Sequence, residues 1–335
     1  MTRSSPPRVS RRRFLASTAT VTAAGVAGCS DRTSEQPADS PTDPTPSQPT
    51  DAQRGVETVV DIPGERVPEN LAFGPDGALY FGITAGEIRR LTPEQAASSG
   101  LALADVEQVA TLPGAVGVEA SPDGIIYVAV AAQDDDSGIW SVSPGDRTRQ
   151  LAAISGFPND ILYDTDHDRL LVTESQGGAV YSVTSDGSRE TWLDDERLST
   201  DSFGANGITR DSDGDVYVAV TRAPGETGRL LRVPVHNDGT AGDAVMFFEG
   251  SDIYGADGIA AMDGAIYVAV NGQNRVLRVT PEGTPTVVAT GDDGLVFPSD
   301  VAFDGEDLSA SLFICNFANQ SPDDGAILRT DVSVD

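Results

Sequence analysis

Glu69, Asn159, Asn206 and Asp257 occupy equivalent places in a repeated sequence frame. Each stands two residues before an aliphatic residue (Leu71, Ile161, Ile208 and Ile259), and each leads into a run such as LYFG or IYVAV. Asn206 and Asp257 are directly followed by glycine. Two carboxylates and two carboxamides, with no histidine or thiol among them, make an all-oxygen donor set if they converge. Such donors suit one hard divalent cation, Ca²⁺ ahead of Mg²⁺, Mn²⁺ or Zn²⁺. Two carboxylates held together without a cation repel, which raises a pKa. The alternative is local: Asn and Asp before Gly make side-chain-to-backbone turns. The choice depends on whether the surrounding elements bring the four residues to one place.

Those elements recur six times. ENLAFGPDGALYFG (69–82), VGVEASPDGIIYVAV (116–130), NDILYDTDHDRLLVT (159–173), NGITRDSDGDVYVAV (206–220), DGIAAMDGAIYVAV (257–270) and SDVAFDGEDLSASLFIC (299–315) share one plan. A polar or small residue is followed by an aliphatic, a turn and an apolar strand. A third strand follows (EIRRL, GIWSV, AVYSV, RLLRV, RVLRV, AILRT), and in several repeats a fourth, such as EQVATL or PTVVAT. The starts at 69, 116, 159, 206, 257 and 299 lie 42 to 51 residues apart. Four strands in that period predict an all-β, six-bladed β-propeller with four-stranded blades. The sixth repeat runs out before its outer strand, whereas VETVVDI (56–62) precedes the first as an unassigned strand. That N-terminal strand is expected to complete blade six and close the ring, which removes an open sheet edge.

Pseudo-symmetry then places equivalent residues at one height around the axis. One tier reads Glu69, Val116, Asn159, Asn206, Asp257, Ser299, and the next reads Asn70, Gly117, Asp160, Gly207, Gly258, Asp300. Five of the six in the first tier bear a side-chain oxygen, which favours a binding ring over six independent turns.

On these residues the chain resembles the regucalcin/gluconolactonase family of propellers (the senescence-marker-like group), related to strictosidine synthase-like and paraoxonase-like propellers. The carriers are Glu69 in blade one, Asn159-Asp160 in blade three, Asn206-Gly207 in blade four, and Asp257-Gly258 with Asn271-Gly272 and Arg275 in blade five. The resemblance spans 55–335. It implies that Glu69, Asn206 and Asp257 ligate the metal, with Asn159 beside the metal or substrate. Two departures stand out. Phe157 replaces an arginine that the family's sugar-lactone hydrolases carry, and Ile161 stands where their blade-three motif has glycine. Both move the expected substrate from a hydroxyl-rich sugar toward an apolar or different lactone or ester.

The expected activity is metal-assisted hydrolysis of a small lactone or ester. The cation would polarise the carbonyl, and Asp257, or a neighbouring carboxylate such as Asp160 or Asp300, would serve as base. Asp257 is the expected catalytic residue. Asn159, Asp160, Ser299 and Asp300 are expected beside the substrate or behind the ligands. Glu174 reads as a solvated edge residue, and His167 and His236 read as surface residues. No G-x-S-x-G is present, so a serine hydrolase is not expected. The Asp-rich turn DSDGD (211–215) lacks the length and terminal Glu of a calcium loop. The competing reading is non-catalytic: a metal-stabilised propeller that binds a solute, polysaccharide or protein partner.

Composition sets the compartment. The 335 residues hold 22 basic and 52 acidic side chains, a formal charge of −30, and every basic residue is arginine. An acidic, lysine-free surface stays hydrated in molar salt, where screening blunts self-repulsion, and implies a halophilic, archaeal source. The same charge argues against nucleic acid as a partner. SRRRFL (10–15) and the uncharged run to Gly28 resemble a twin-arginine signal, and VAGC (26–29) resembles a lipobox. Residues 1–28 are therefore expected to be a signal peptide ending at a lipidated Cys29. Residues 29–54, rich in Pro, Ser, Thr and Asp, are expected to form a disordered tether. The domain 55–335 would then stand as a monomer on the extracellular face of the membrane. With Cys29 lipidated, Cys315 has no disulfide partner; it reads as a buried small hydrophobe.

Overall fold

In the computed structural model, residues 55–332 are described, except 144, 146 and 306–308. The signal, lipobox and tether lie outside the described residues. The described chain forms six sheets, antiparallel but for one added parallel pairing: blades two to five are each four consecutive strands, blade one skips a short strand, and the sixth sheet takes in that strand and the N-terminal one. The innermost strands are Pro68–Phe73, Val118–Ala120, Pro158–Asp164, Ala205–Arg210, Ala256–Met262 and Pro298–Phe303. Each lies against the inner strands of the two neighbouring blades, and the sixth lies against the first, so the ring is closed around a channel.

Tight turns join inner to second strands. Gly77, Gly124 and Gly214 each take positive φ at the end of a PDG or SDG turn. In the Asp-rich turn at 211–215, the Asp211 carboxylate accepts the amides of Asp213 and Asp215. It is a hairpin turn.

The apolar residues sort into six buried clusters, one at each interface between neighbouring blades. Phe81 and Phe313 anchor the interface between blades one and six, and Cys315 is buried there as a free thiol. Cores between blades follow from the apolar second strands, which are buried on both faces: all five residues of Ile126–Val130 and all six of Ala265–Val270 are buried.

The seam closes as the repeat count requires. Glu57–Asp61 pairs antiparallel with Ala326–Asp331, opposing Glu57 to Arg329 and Thr58 to Leu328. The Arg329–Glu57 ion pair, at 2.7 Å, reinforces it. An insertion between the third and fourth strands of blade one was not evident from the repeat. It carries a short helix, Pro93–Ala96, capped by Thr92 and Gln95, and a two-residue strand, Leu101–Ala102. That strand pairs in parallel with Val60 and Asp61, so it covers the edge the closing strand would otherwise expose.

Candidate functional site

A recurring irregularity positions the ring. The pairing of inner with second strand slips between Pro68 and Leu71, Pro158 and Ile161, Ala205 and Ile208, Ala256 and Ile259, and Pro298 and Asp300. A bulge breaks the strict alternation of a strand and re-aims its side chains. Two consecutive positions per blade, the two tiers named above, are thereby released from opposite faces.

The second tier holds the blades together. Asn70 donates from Nδ2 to Asp160 Oδ1 at 3.2 Å, reaching from blade one to blade three across Gly117. Its Oδ1 accepts the Val118 amide at 2.8 Å. Asp160 accepts the Ile161 amide on Oδ1 and the Ile208 amide of blade four on Oδ2. Asp300 accepts the Leu71 amide of blade one at 2.9 Å. The glycines of this tier make room for those contacts. A Cβ on Gly258 would lie 1.8 Å from Asp300 Oδ1, and one on Gly207 would lie 2.3 Å from the Asp257 carbonyl oxygen. Asp160 and Asp300, expected beside the substrate, are therefore bound into inter-blade stitches. Burial raises both carboxyls, Asp160 to about 6 and Asp300 well above the ordinary range, with Asp160 adding to the shift of Asp300.

The first tier is different. Asn159 donates from Nδ2 to Ser175 Oγ at 2.9 Å, and Asn206 donates from Nδ2 to Thr221 Oγ1 at 2.9 Å. With the amide nitrogens so engaged, the carbonyl Oδ1 of each is left as the free donor atom, the kind that hard cations take. Asp257 accepts from Asn271 Nδ2 at 2.9 Å, and the Asn271 amide is held in that orientation because its Oδ1 accepts the Gly272 N–H. Burial pushes Asp257 up to about 7, against the hydrogen bonds of Asn271 and Asn206 and the charge of Arg222. Oε2 of Glu69 is buried and has no hydrogen-bond partner. Burial, then the charges of Asp257 and Asp300, hold the Glu69 carboxyl well above the usual carboxylate range. Ser299 spends its hydroxyl on the Glu69 carbonyl at 2.6 Å, joining blade six to blade one. Among the described residues no three of His, Cys, Asp and Glu are grouped as a metal site. The donor set that the ring offers is two carboxylates with two amide oxygens, and it fits a cation that seeks oxygen.

Four sets of residues have roles that the sequence reading did not give. Ser175, Thr221 and Asn271 fall 14 to 16 residues after their ring partners, at the exits of second strands, and this shared place in the repeat is the signal that could have found them. Arg222, exposed and next to Thr221, is the cation that acts on Asp257. Glu174 is not a solvated edge residue. It is 3% exposed, and its carboxylate accepts the amides of Phe157, Gln176 and Gly177 at 2.7, 2.9 and 2.6 Å. The loop Gly156-Phe157-Pro158 folds over it, and this buries the carboxylate. His167 is also more enclosed than expected: its Nδ1 meets the buried Asp164 at 2.9 Å, at the far end of the blade-three inner strand from the ring.

Phenylalanines stand at the entrance to the ring. Phe157 packs edge-on against Phe203 at 5.0 Å, and Phe297 lies 5.7 Å from Phe317. Phe157 and Phe297 begin matching runs, FPND and FPSD, in blades three and six, which face each other across the channel. Two cavities, of about 380 and 340 Å³, lie away from this entrance, one on blade two beside Arg147 and Arg149, the other where the inner strands end.

The architecture has solved counterparts. Regucalcin from Agrobacterium tumefaciens, a calcium-binding protein, superposes with a TM-score of 0.61 at 19% identity, covering 84% of this chain and 94% of its own. A candidate gluconolactonase gives 0.60 at 14%, covering 84% and 93%. The fold is that of the regucalcin-like and gluconolactonase-like propellers. A catalytically inactive His-to-Ala variant of virginiamycin B lyase from Staphylococcus aureus superposes at 0.54 and 19% identity, covering 79% and 80%. The sequence model of the strictosidine synthase-like N-terminal region matches residues 54–91, the stretch of this chain that holds the closing strand and Glu69. No protein of curated function matches the chain in sequence.

Proposed function

We propose that this propeller is a metal-dependent hydrolase of a lactone or ester, exported and held at the extracellular face of the membrane. The observation that carries the reading is the buried, unpartnered Oε2 of Glu69 beside the buried carboxyl of Asp257. Two carboxyls so placed, faced by the free amide oxygens of Asn159 and Asn206, supply donors for a divalent cation, Ca²⁺ first among them. Glu69, Asn206 and Asp257 are the proposed ligands, with Asn159 beside them. When bound, the cation polarises the acyl carbonyl and stabilises the oxyanion. Asp257, oriented by Asn271, takes the proton of the attacking water. Arg222, whose charge acts on Asp257, is the proposed partner of the carboxylate that hydrolysis releases.

The entrance favours an apolar acyl group. Phe157 replaces the arginine of the sugar-lactone hydrolases, and Phe203, Phe297 and Phe317 add rings rather than hydroxyl-binding groups. The second reading, a non-catalytic binding module, is favoured by the stitching tier beneath the ring, because a cation there would also join blades one, four and five. Export through a twin-arginine signal and lipidation of Cys29 are part of the proposal, as are the halophilic source and a monomeric state.

The test uses the full chain at high salt, with a panel of lactones and aryl esters in Ca²⁺, Mn²⁺ or EDTA. Turnover on apolar lactones that disappears in EDTA and in Asp257→Ala is the expected result. Stoichiometric bound metal with no turnover on any substrate would leave only the binding module. Retention of a Cys29→Ser variant in the membrane fraction would refute the lipid anchor.

A further inference from the structure

The second tier does not end the channel's chemistry. Two residues further along each inner strand, the equivalent positions are Ala72, Glu119, Leu162, Thr209, Ala260 and Ala302. Five are uncharged, and Glu119 is the single ionisable group. It lines the cavity of about 340 Å³ at the mouth where the inner strands end, opposite the ring. Phe73, Pro75, Pro122, Tyr163 and Thr165 are among the other walls, and the lining contains no basic residue. The two aromatic walls are fixed from behind: Phe73 packs edge-on against Phe313 at 5.1 Å, and Tyr163 stacks on Tyr127 at 6.1 Å.

Glu119 accepts the Ala120 amide at 2.7 Å and a second hydrogen bond from the Tyr163 backbone. The cavity lining holds no arginine, and Asp160, one tier up, is a like charge. The site thus combines a half-buried carboxyl with no basic residue in the cavity lining, two aromatic faces and a volume far beyond that of a bare ion. A carboxylate with aromatic rings is the chemistry that recognises organic ammonium groups, and the volume matches a small ligand.

We infer that the mouth opposite the ring is a second binding site, selective for a small organic cation, a primary or quaternary ammonium bearing an apolar group. The positive nitrogen would face the Glu119 carboxylate, and the apolar part would lie against Phe73 and Tyr163. The field of a chain with net charge −30 raises the local concentration of cations and excludes anions from this mouth. Because burial pushes Glu119 up to about 8, the carboxyl carries a proton at neutral pH when no ligand is present. Binding of a cation therefore releases that proton. The site is independent of the proposed hydrolase reading.

Calorimetry on the full chain in EDTA, at fixed salt, tests this with benzylamine, benzyltrimethylammonium and the neutral benzyl alcohol as probes. Both cations are expected to bind at least about tenfold more tightly than the alcohol. At neutral pH the heat should vary with the ionisation enthalpy of the buffer, reporting one proton released. Glu119→Gln should weaken both cations by at least about tenfold without lowering the melting temperature. Phe73→Leu, which keeps an apolar wall but removes the ring, should weaken benzyltrimethylammonium. Equal affinity for the alcohol, unchanged cation affinity in Glu119→Gln, or no binding of either cation would overturn the inference. If Glu119→Gln does not fold, unchanged affinity in Phe73→Leu overturns it.

Discussion

Replacement of Asp257 by Asn separates the electrostatic account of the ring from a purely steric one. In the metal-free protein Asp257 is pushed from 3.8 to about 7, chiefly by burial. A carboxyl raised in the folded state binds its proton more tightly there than in the unfolded chain. The folded form is thus favoured below the unfolded pKa, and that advantage is lost as pH rises through about 7. Three units at 1.36 kcal/mol each set an upper bound of about 4 kcal/mol on the destabilisation reached by pH 9. Asn keeps the protonated shape and does not ionise. In EDTA, Asp257→Asn should match the wild type only below about pH 4, and its advantage should grow by up to about 3 kcal/mol between about pH 5 and about pH 9. Excess Ca²⁺ should invert the order at high pH, because the wild-type carboxylate gains a ligand that the amide binds far less well. Urea denaturation at fixed salt, with and without EDTA, measures all four free energies. A wild-type stability that is flat between pH 5 and pH 9 in EDTA, or an equal Ca²⁺ gain in both proteins, would refute the reasoning.

Other perturbations address the frame around the ring. Gly207→Ala places a Cβ 2.3 Å from a backbone carbonyl that a neighbouring strand holds, and should cost at least about 1–3 kcal/mol by urea denaturation. Glu174→Gln, which leaves one of three amide donors without an acceptor, should cost about 1–3 kcal/mol. Because that loop carries Phe157 and leads into Asn159, the variant should also raise KM for any apolar lactone turned over. Val60→Pro removes an N–H from the closing strand, which pairs on both sides, and should lower the urea midpoint by the equivalent of about 3 kcal/mol or more.

The repeat made the propeller legible because each blade spends its apolar residues on the same two positions, and the missing sixth outer strand pointed to 56–62. The ring register was legible for the same reason. What the repeat concealed lies where the blades differ. Glu174 reads as a polar residue at a strand end, and only the path of the Gly156–Pro158 loop buries it. The roles of Asp160 and Asp300 were likewise hidden, because a carboxylate that accepts amides from the next blade has the same sequence as one that faces a substrate. Gly207 and Gly258 read as motif members; their necessity is spatial, set by atoms of the following blade. The insertion at 92–106 left no trace in the period, since it lies between strands that still pair.

The seam between Glu57 and Arg329 has a consequence for how the molecule comes into being. Those partners are 272 residues apart, and joining them closes almost the whole described chain into one loop. Loop closure at that separation costs about 5 kcal/mol of entropy, which is offset only when the blade-six sheet and the core behind Phe313 form together. A chain missing Ala326–Asp331 therefore lacks more than an end: its first strand keeps only the two-residue strand Leu101–Ala102 to pair with, and the core between blades six and one is left incomplete. Synthesis as far as Ala326–Asp331 thus becomes a condition for the closed ring.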